Sequence, residues 1–313
     1  GAWLMDLFSI VLTQVGFFAT ALAVGFIAQR IGFITETMIQ SMSKIIMKVL
    51  VPLLVLTVTA SSGSLSEFVS AWPFALVVLG MYAIHIAISF ITGKIAGLKR
   101  PEINAHVCSC SFVNSALIGY PIIMAVFPEK SGIYIAVFLI VETIVTWTVG
   151  LMIVSSASGS GKIDLRRMVT PMTIGLVIGL LFILFGIRPQ NIVWDTLTGI
   201  GGTQKYIGLI YIGADIGFTG FKKVFKDIKV FLTIPVKLII APLCVFFIFK
   251  FIGVDADMVT AVTIFSMLPS MLIITILSKE YNAAPDYASG SILITTAASL
   301  VTMPLVFYII SFF

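Results

Sequence analysis

Apolar residues in this chain run in long blocks, not in the alternation of a half-buried strand or the three-and-four spacing of a soluble amphipathic helix. Ten blocks stand out, at approximately 6–28, 38–60, 72–93, 104–127, 131–154, 170–187, 197–218, 230–250, 258–278 and 287–311. A helix of about 20 apolar residues, at 1.5 Å per residue, crosses the roughly 30 Å hydrocarbon layer of a bilayer. Breakers and charges collect between the blocks, as in Gln29-Arg30-Ile31-Gly32, Ser61 to Glu67, Gly97 to Glu102, Pro128 to Gly132, Arg188 to Asp195, Phe221 to Lys229, Gly253 to Asp257 and Lys279 to Asp286. The pattern predicts an all-α polytopic membrane protein with ten transmembrane helices.

Two blocks are flawed as helices. The fourth, AHVCSCSFVNSALIGYPIIMAVF from Ala105 to Phe127, carries Asn114, Ser115, Gly119, Tyr120 and Pro121 in its middle. The ninth breaks midway at Leu268-Pro269-Ser270. Proline removes a backbone donor and clashes with the preceding turn. In lipid the freed backbone groups must find partners inside the protein, so such a break belongs where it lines a cavity. Pro121 and Pro269 are read as matching breaks, with Asn114 on a polar wall and Met267 on an apolar one.

The Gly/Ser-rich run from Ser155 to Lys162 has the composition of a flexible tether. It divides the chain into a first five-helix repeat (1–154), a linker with basic residues (155–169) and a second repeat (170–313). An odd number of spans per half inserts the second half upside down, giving an inverted-topology repeat in which the broken fourth and ninth helices cross near the midplane. Sliding the chain by 153 residues places Phe112 on Phe265 and Tyr134 on Tyr287, an identity near chance; the recurrence of the break carries the argument.

Composition agrees with the membrane reading. Hydrophobic residues are 59% of the chain and charged residues 11%, with mean hydropathy +1.14, against about a quarter charged in soluble domains. Alternate connectors hold Arg30; Lys94, Lys99 and Arg100; Lys162, Arg166 and Arg167; Lys222, Lys223, Lys226 and Lys229; and Lys279, twelve in all, against Lys130, Arg188 and Lys250 in the others. That bias predicts a cytoplasmic side for the first set and both termini outside. The net charge of +5 is then accounted for by topology and anionic lipid, and no nucleic-acid partner is implied. GAWLMDLF lacks a basic n-region and a small-residue cleavage site, so the first span is expected to be retained. Cys108, Cys110 and Cys244 lie within apolar blocks and form neither a disulfide framework nor a zinc spacing. His106, Cys108 and Cys110 alternate, but residues two apart on a helix point about 200° from each other, so no metal and no cofactor is expected.

Val51-Pro52-Leu53-Leu54, Asn114-Ser-Ala-Leu-Ile-Gly119-Tyr-Pro121, Glu142 with Trp147, and Lys237 with Pro242 resemble the auxin efflux carrier family. The resemblance covers essentially the whole chain, and Asn-x-x-x-x-Gly-x-Pro is its most specific part. The family includes plant auxin exporters and bacterial malonate carriers and is similar in fold to bile-acid sodium symporters and sodium/proton antiporters. The resemblance implies a scaffold and dimer surface from the first, second, sixth and seventh spans. It implies a transport domain from the other six that moves elevator-fashion, in a homodimer of a bacterial inner membrane. The family often has Asn, Gln or Asp where this chain has Glu142, so the coupling ion, H+ or Na+, stays open.

Asn114, Ser115, Gly119, Tyr120, Pro121, Pro269 and Ser270 are the candidate substrate-binding residues. An asparagine amide both donates to a carboxylate and accepts from a cation-bound water; the plainer reading is a hydrogen bond that glues neighbouring helices. Glu142 and Asp215 are the acids far from span ends, and an intramembrane carboxylate is a functional candidate by default. Each is set against a structural pair with Lys48, Lys205 or Lys237. Lys237 either attracts an anion or snorkels to an interface. His85 and His106 are read as helix-packing histidines. The expected function is secondary active transport of a small organic anion, not an enzymatic activity, since no His-His-Glu or Ser-Lys catalytic spacing occurs within the spans. The alternatives are a sodium- or proton-coupled carrier of another substrate class, which calls for an ionisable pair that the crossover sequence lacks, and a membrane sensor, which calls for an effector domain.

Overall fold

The computed structural model describes residues 2–161, 163–219 and 228–313. Lys162 of the linker and Phe221, Lys222, Lys223 and Lys226 of the basic connector lie outside them. The regular structure of the described residues is helical, in the order α1 Ala2–Arg30, α2 Glu36–Ala60, α3 Leu65–Ile95, α4 Arg100–Ser111, α5 Ser115–Val126, α6 Ser131–Ser158, α7 Pro171–Leu184, α8 Ile192–Gly202, α9 Gln204–Thr219, α10 Ile228–Phe251, α11 Ala256–Ser266, α12 Ile273–Glu280 and α13 Pro285–Ile310. Among the described residues six helices are long and apolar enough to cross a membrane: α1 from Ser9, α2, α3, α6, α10 and α13. Large apolar side chains such as Phe251, Ile95 and Val301 stand exposed on the outer surface, as a lipid-facing wall requires. This is a multi-pass membrane protein.

The fourth and ninth blocks divide, into α4 and α5 and into α11 and α12. The seventh also divides, at Thr203, between α8 and α9. The first helix of the fourth block begins at Arg100, earlier than the apolar run suggests, because the Glu102 carboxylate accepts from the Lys99 amide at 2.8 Å and fixes the first turn.

Among the described residues four helical stretches widen into a π turn, at Ile46–Leu50, Ser115–Gly119, Thr146–Gly150 and Val236–Ile240. Three of them are followed by a residue and then a proline: Val51-Pro52, Tyr120-Pro121 and Ala241-Pro242. In each the residue before the proline donates five positions back, to Ile46, Ser115 and Val236. The wider turn lets the chain absorb a ring that would otherwise clash with the carbonyl four residues behind, so these prolines do not end their helices.

Small residues set the closest helix contacts. A Cβ on Gly25 of α1 would lie 2.0 Å from the Ile210 carbonyl oxygen of α9, and one on Gly213 of α9 would lie 2.1 Å from that of Leu22. Gly175 of α7 and Gly201 of α8 also sit close on the α2 backbone, where an added Cβ would lie 2.5 Å from the Pro52 carbonyl oxygen and 2.7 Å from the Leu54 nitrogen. Helices α1 and α9, and α2 with α7 and α8, thus pack backbone to backbone. Around them α3 packs on α4 and α6, α10 on α11, and α13 on α4 and α12.

Candidate functional site

The two broken helices meet at their breaks. Helix α4 stops where Phe112 turns extended (ψ 134°), and the chain stays non-helical through Asn114 (φ −82°, ψ 69°) before the π turn begins. The second break runs from Met267 to Leu272. The Asn114 amide donates to the Pro269 carbonyl at 2.9 Å, and the Met271 amide donates to the Phe112 carbonyl at 3.1 Å. Val113 and Ser270 form an antiparallel bridge between them, the one such pairing among the described residues. Backbone groups that neither helix can satisfy internally are satisfied by the other break.

The last carbonyls of α4 are capped by side chains from three other helices or breaks. Ser270 Oγ donates to the Ser109 carbonyl at 2.7 Å. Lys237 Nζ, on α10, donates to the Cys110 carbonyl at 2.9 Å, and His85 Nδ1, on α3, contacts the same oxygen at 2.8 Å. Since a carbonyl only accepts, His85 carries its proton on Nδ1 and accepts on Nε2 from the Ser266 hydroxyl, 2.5 Å away. A cation at a helix C-terminus also complements the helix dipole. Behind the second break, Ser270 donates its amide to Thr295 Oγ1 of α13 at 3.1 Å.

An acid faces the start of α5. Glu142, on α6, is fully buried; its Oε2 accepts from Ser115 Oγ at 2.7 Å, and its Oε1 has no hydrogen bond among the described residues. The hydroxyls of Tyr82 and Tyr120 are likewise buried with no hydrogen bond among the described residues. Lys237 and Glu142 form no ion pair among the described residues. Aromatic rings seal this region: Phe138 stacks on Phe265 at 3.7 Å, and Tyr82 lies 5.6 Å from Phe112.

Of the residues singled out from sequence, the structure gathers Asn114, Ser115, Tyr120, Pro269, Ser270, Glu142 and Lys237 around the paired breaks. Asn114 is half-buried, and among the described residues its carboxamide has no partner. Gly119 packs on the second break, where an added Cβ would lie 2.6 Å from Leu268. Asp215, on α9, forms no ion pair among the described residues and no hydrogen bond to the paired breaks.

Four expectations change. Pro121 is not a break residue and does not answer Pro269: it follows the π turn inside α5, and the residue facing Pro269 is Asn114. Met267 does not make the second wall apolar, since Ser266, Ser270 and Thr295 present hydroxyls there. Lys237 does not snorkel; it is fully buried with its ammonium on Cys110. An acid and a base do reach the junction, carried by the flanking helices α6 and α10, where a search of the broken segments alone finds neither.

A cleft of about 240 Å³ opens beside α5, lined by Gln14, Leu54, Pro121, Met124, Gln204 and Lys205. Gln204 joins it to the junction by donating Nε2 to the Ala116 carbonyl at 2.9 Å. Sequence reasoning missed Gln204, Tyr82 and Thr295. The available signal for Gln204 was its place directly after Gly201-Gly202-Thr203, where a polar residue interrupts an apolar block. Among the described residues no group of three or more His, Cys, Asp and Glu side chains is placed to hold a metal ion.

The model of the membrane transport protein family matches residues 10–307. The chain belongs to that family, the auxin efflux carriers. It is also similar to an uncharacterized transporter of Methanothermobacter thermautotrophicus, at 24% identity over 288 residues that cover 90% of this chain and 92% of that protein. This auxin efflux carrier family member is therefore a membrane transporter and not an enzyme, and the paired breaks are the first place to look for its substrate.

Proposed function

We propose that this carrier is a secondary active transporter of a small organic anion, a carboxylate of auxin or malonate size, working by alternating access around the paired breaks. The observation that carries this reading is the junction itself: two interrupted helices joined through Asn114 and Pro269, a carboxamide without a partner at the point where they meet, and a base and an acid beside it. In this reading α4 with α5, α8 with α9, and α11 with α12 each count as one span, giving ten helices in two inverted repeats (1–154 and 170–313) linked by 155–169. The α1, α2, α7, α8 and α9 group, packed backbone to backbone, is the scaffold and homodimer surface. The remaining helices move against it as an elevator. Both termini lie outside a bacterial inner membrane, which follows the basic connectors.

Glu142 is the proposed coupling group. A buried carboxylate whose second oxygen has no partner among the described residues is suited to bind a proton. Asn114, Ser115 and Ser270 are the proposed substrate contacts. Uptake of labelled carboxylates into proteoliposomes, driven separately by a pH gradient and by a sodium gradient, tests the proposal. Uptake driven by the pH gradient and lost in Asn114→Ala supports it; carboxylate uptake unchanged by that substitution overturns the site.

A further inference from the structure

An apolar groove of about 390 Å³ runs between α6 and α7, with Ile140 and Ile144 on one wall, Ile174 and Val177 on the other, and Met168 and Val169 at the linker end. Its size falls within the roughly 300–1,000 Å³ of ligand sites. Ile144, Ile174, Val177 and Val169 are exposed, so the groove opens to the outside of the helix bundle. The linker end carries a cation that the fold leaves unused. Arg167 is engaged: its guanidinium donates to both Glu280 carboxylate oxygens, at 2.9 and 2.5 Å, and its Nε lies 3.4 Å from Asp164. Arg166, beside it and two residues before Met168, is exposed. Its amide donates to Asp164 Oδ1 at 3.1 Å, but among the described residues its guanidinium pairs with no carboxylate. Ile163, Leu165 and Val169, on either side of it, are exposed as well. Apolar side chains interleaved with a free arginine in a connector belong at the headgroup level, with the apolar groups turned to the acyl boundary.

We infer that this groove binds a phospholipid with an anionic headgroup, one acyl chain lying between α6 and α7 and the phosphate meeting Arg166. Apolar walls in a bilayer take up hydrocarbon, and a soluble anion gains nothing from them. A guanidinium suits a phosphate because its planar fork donates to two oxygens at once. A zwitterionic headgroup brings its own cation to the phosphate, so Arg166 adds less to its binding. The inference goes beyond the transport reading and depends neither on the substrate carried nor on how the helices move.

Native mass spectrometry of the purified full-length carrier, titrated with palmitoyl-oleoyl phosphatidylglycerol and with the matched phosphatidylcholine, tests this site. The anionic lipid is expected to bind about fivefold tighter, the effect of one basic side chain at a membrane surface. Arg166→Gln is expected to bring the two lipids within about twofold, whereas Arg30→Gln, which removes the same charge from the end of α1, leaves the preference intact. Ile144→Trp and, on the opposite wall, Val177→Trp fill the groove and are expected to weaken both lipids at least about fivefold, as displacement of one or two methylenes does. Both side chains are exposed, so the larger ring is accommodated without entering the core. Equal affinity for the two lipids in the parent overturns the inference, as does a preference that survives Arg166→Gln or is lost equally in Arg30→Gln. Lipid binding unchanged by both groove-filling variants overturns it too. So does a carrier dimer that dissociates when the groove is filled, since a second copy then occupies it.

Discussion

The backbone amide of Asn114 donates to the carbonyl of Pro269, so the residue with the most versatile side chain in the first break is held by its backbone to the second. Its carboxamide is thereby released from structural duty. Asn114→Ala is expected to leave stability within about 0.5 kcal/mol of the parent, as a substitution away from packing and networks does, and to abolish uptake. Thermal denaturation in detergent beside proteoliposome uptake separates the two effects; a large fall in melting temperature would return Asn114 to a structural role.

Glu142→Gln keeps an acceptor for Ser115 and removes the ionisable group. Uptake driven by a pH gradient is expected to fall to background, while exchange of labelled for unlabelled substrate across the same vesicles persists. If gradient-driven uptake survives in the variant, Glu142 is not the coupling group.

His85 and Lys237 share one acceptor, the Cys110 carbonyl. Each alone still caps it, so the double variant His85→Leu/Lys237→Met is expected to be destabilised by about 1–3 kcal/mol more than the sum of the single variants, the cost of one unsatisfied buried carbonyl. A double-mutant cycle on chemical denaturation measures this term directly. Additivity would show that the two donors act independently.

Gly213→Ala places a methyl 2.1 Å from the Leu22 carbonyl, where backbone on both sides prevents relief. A loss of about 1–3 kcal/mol is expected from overpacking. Gly16, on the same helix as Leu22, has nothing within 4 Å of an added Cβ, so Gly16→Ala is expected to be neutral or slightly stabilising. Comparing the two melting temperatures isolates helix contact from helix propensity.

Glu102, at the α4 N-terminus outside the membrane spans, has its carboxyl held below the ordinary range by the Lys99 amide first and by Lys229, with burial opposing. A depressed folded-state value means that the stabilisation is complete above the unfolded value and is lost as pH falls through the folded one. The parent is therefore expected to lose more stability than Glu102→Gln as pH is lowered from roughly 5 to 3, around the ordinary glutamate range. Parallel acid titrations of the two proteins give the comparison.

Much of the architecture is legible in the chain because bilayer thickness imposes a length on every apolar block, and because lysine and arginine avoid the translocated side. The location of a break is legible too, since Pro269 and the Asn114–Pro121 run are poor helix material. Its exact position was not. Pro121 reads as a breaker, but a π turn absorbs it, and whether a proline is absorbed depends on hydrogen-bond register over the five preceding residues, which proline content does not reveal. Lys237 and Glu142 were visible as intramembrane charges, yet their partners, Cys110 and Ser115, lie on other helices and follow from no local pattern.

By itself, then, the sequence determined an all-helical membrane chain, its family, and the two segments that interrupt themselves, because burial in lipid writes backbone satisfaction and charge placement directly into composition. Only the tertiary structure decided that Asn114 meets Pro269, that Lys237 caps α4 instead of reaching an interface, and that Gln14, Gln204 and Lys205 share one cleft. Those relationships rest on helix-to-helix distance and orientation, which are fixed by side chains and glycines far apart in the chain.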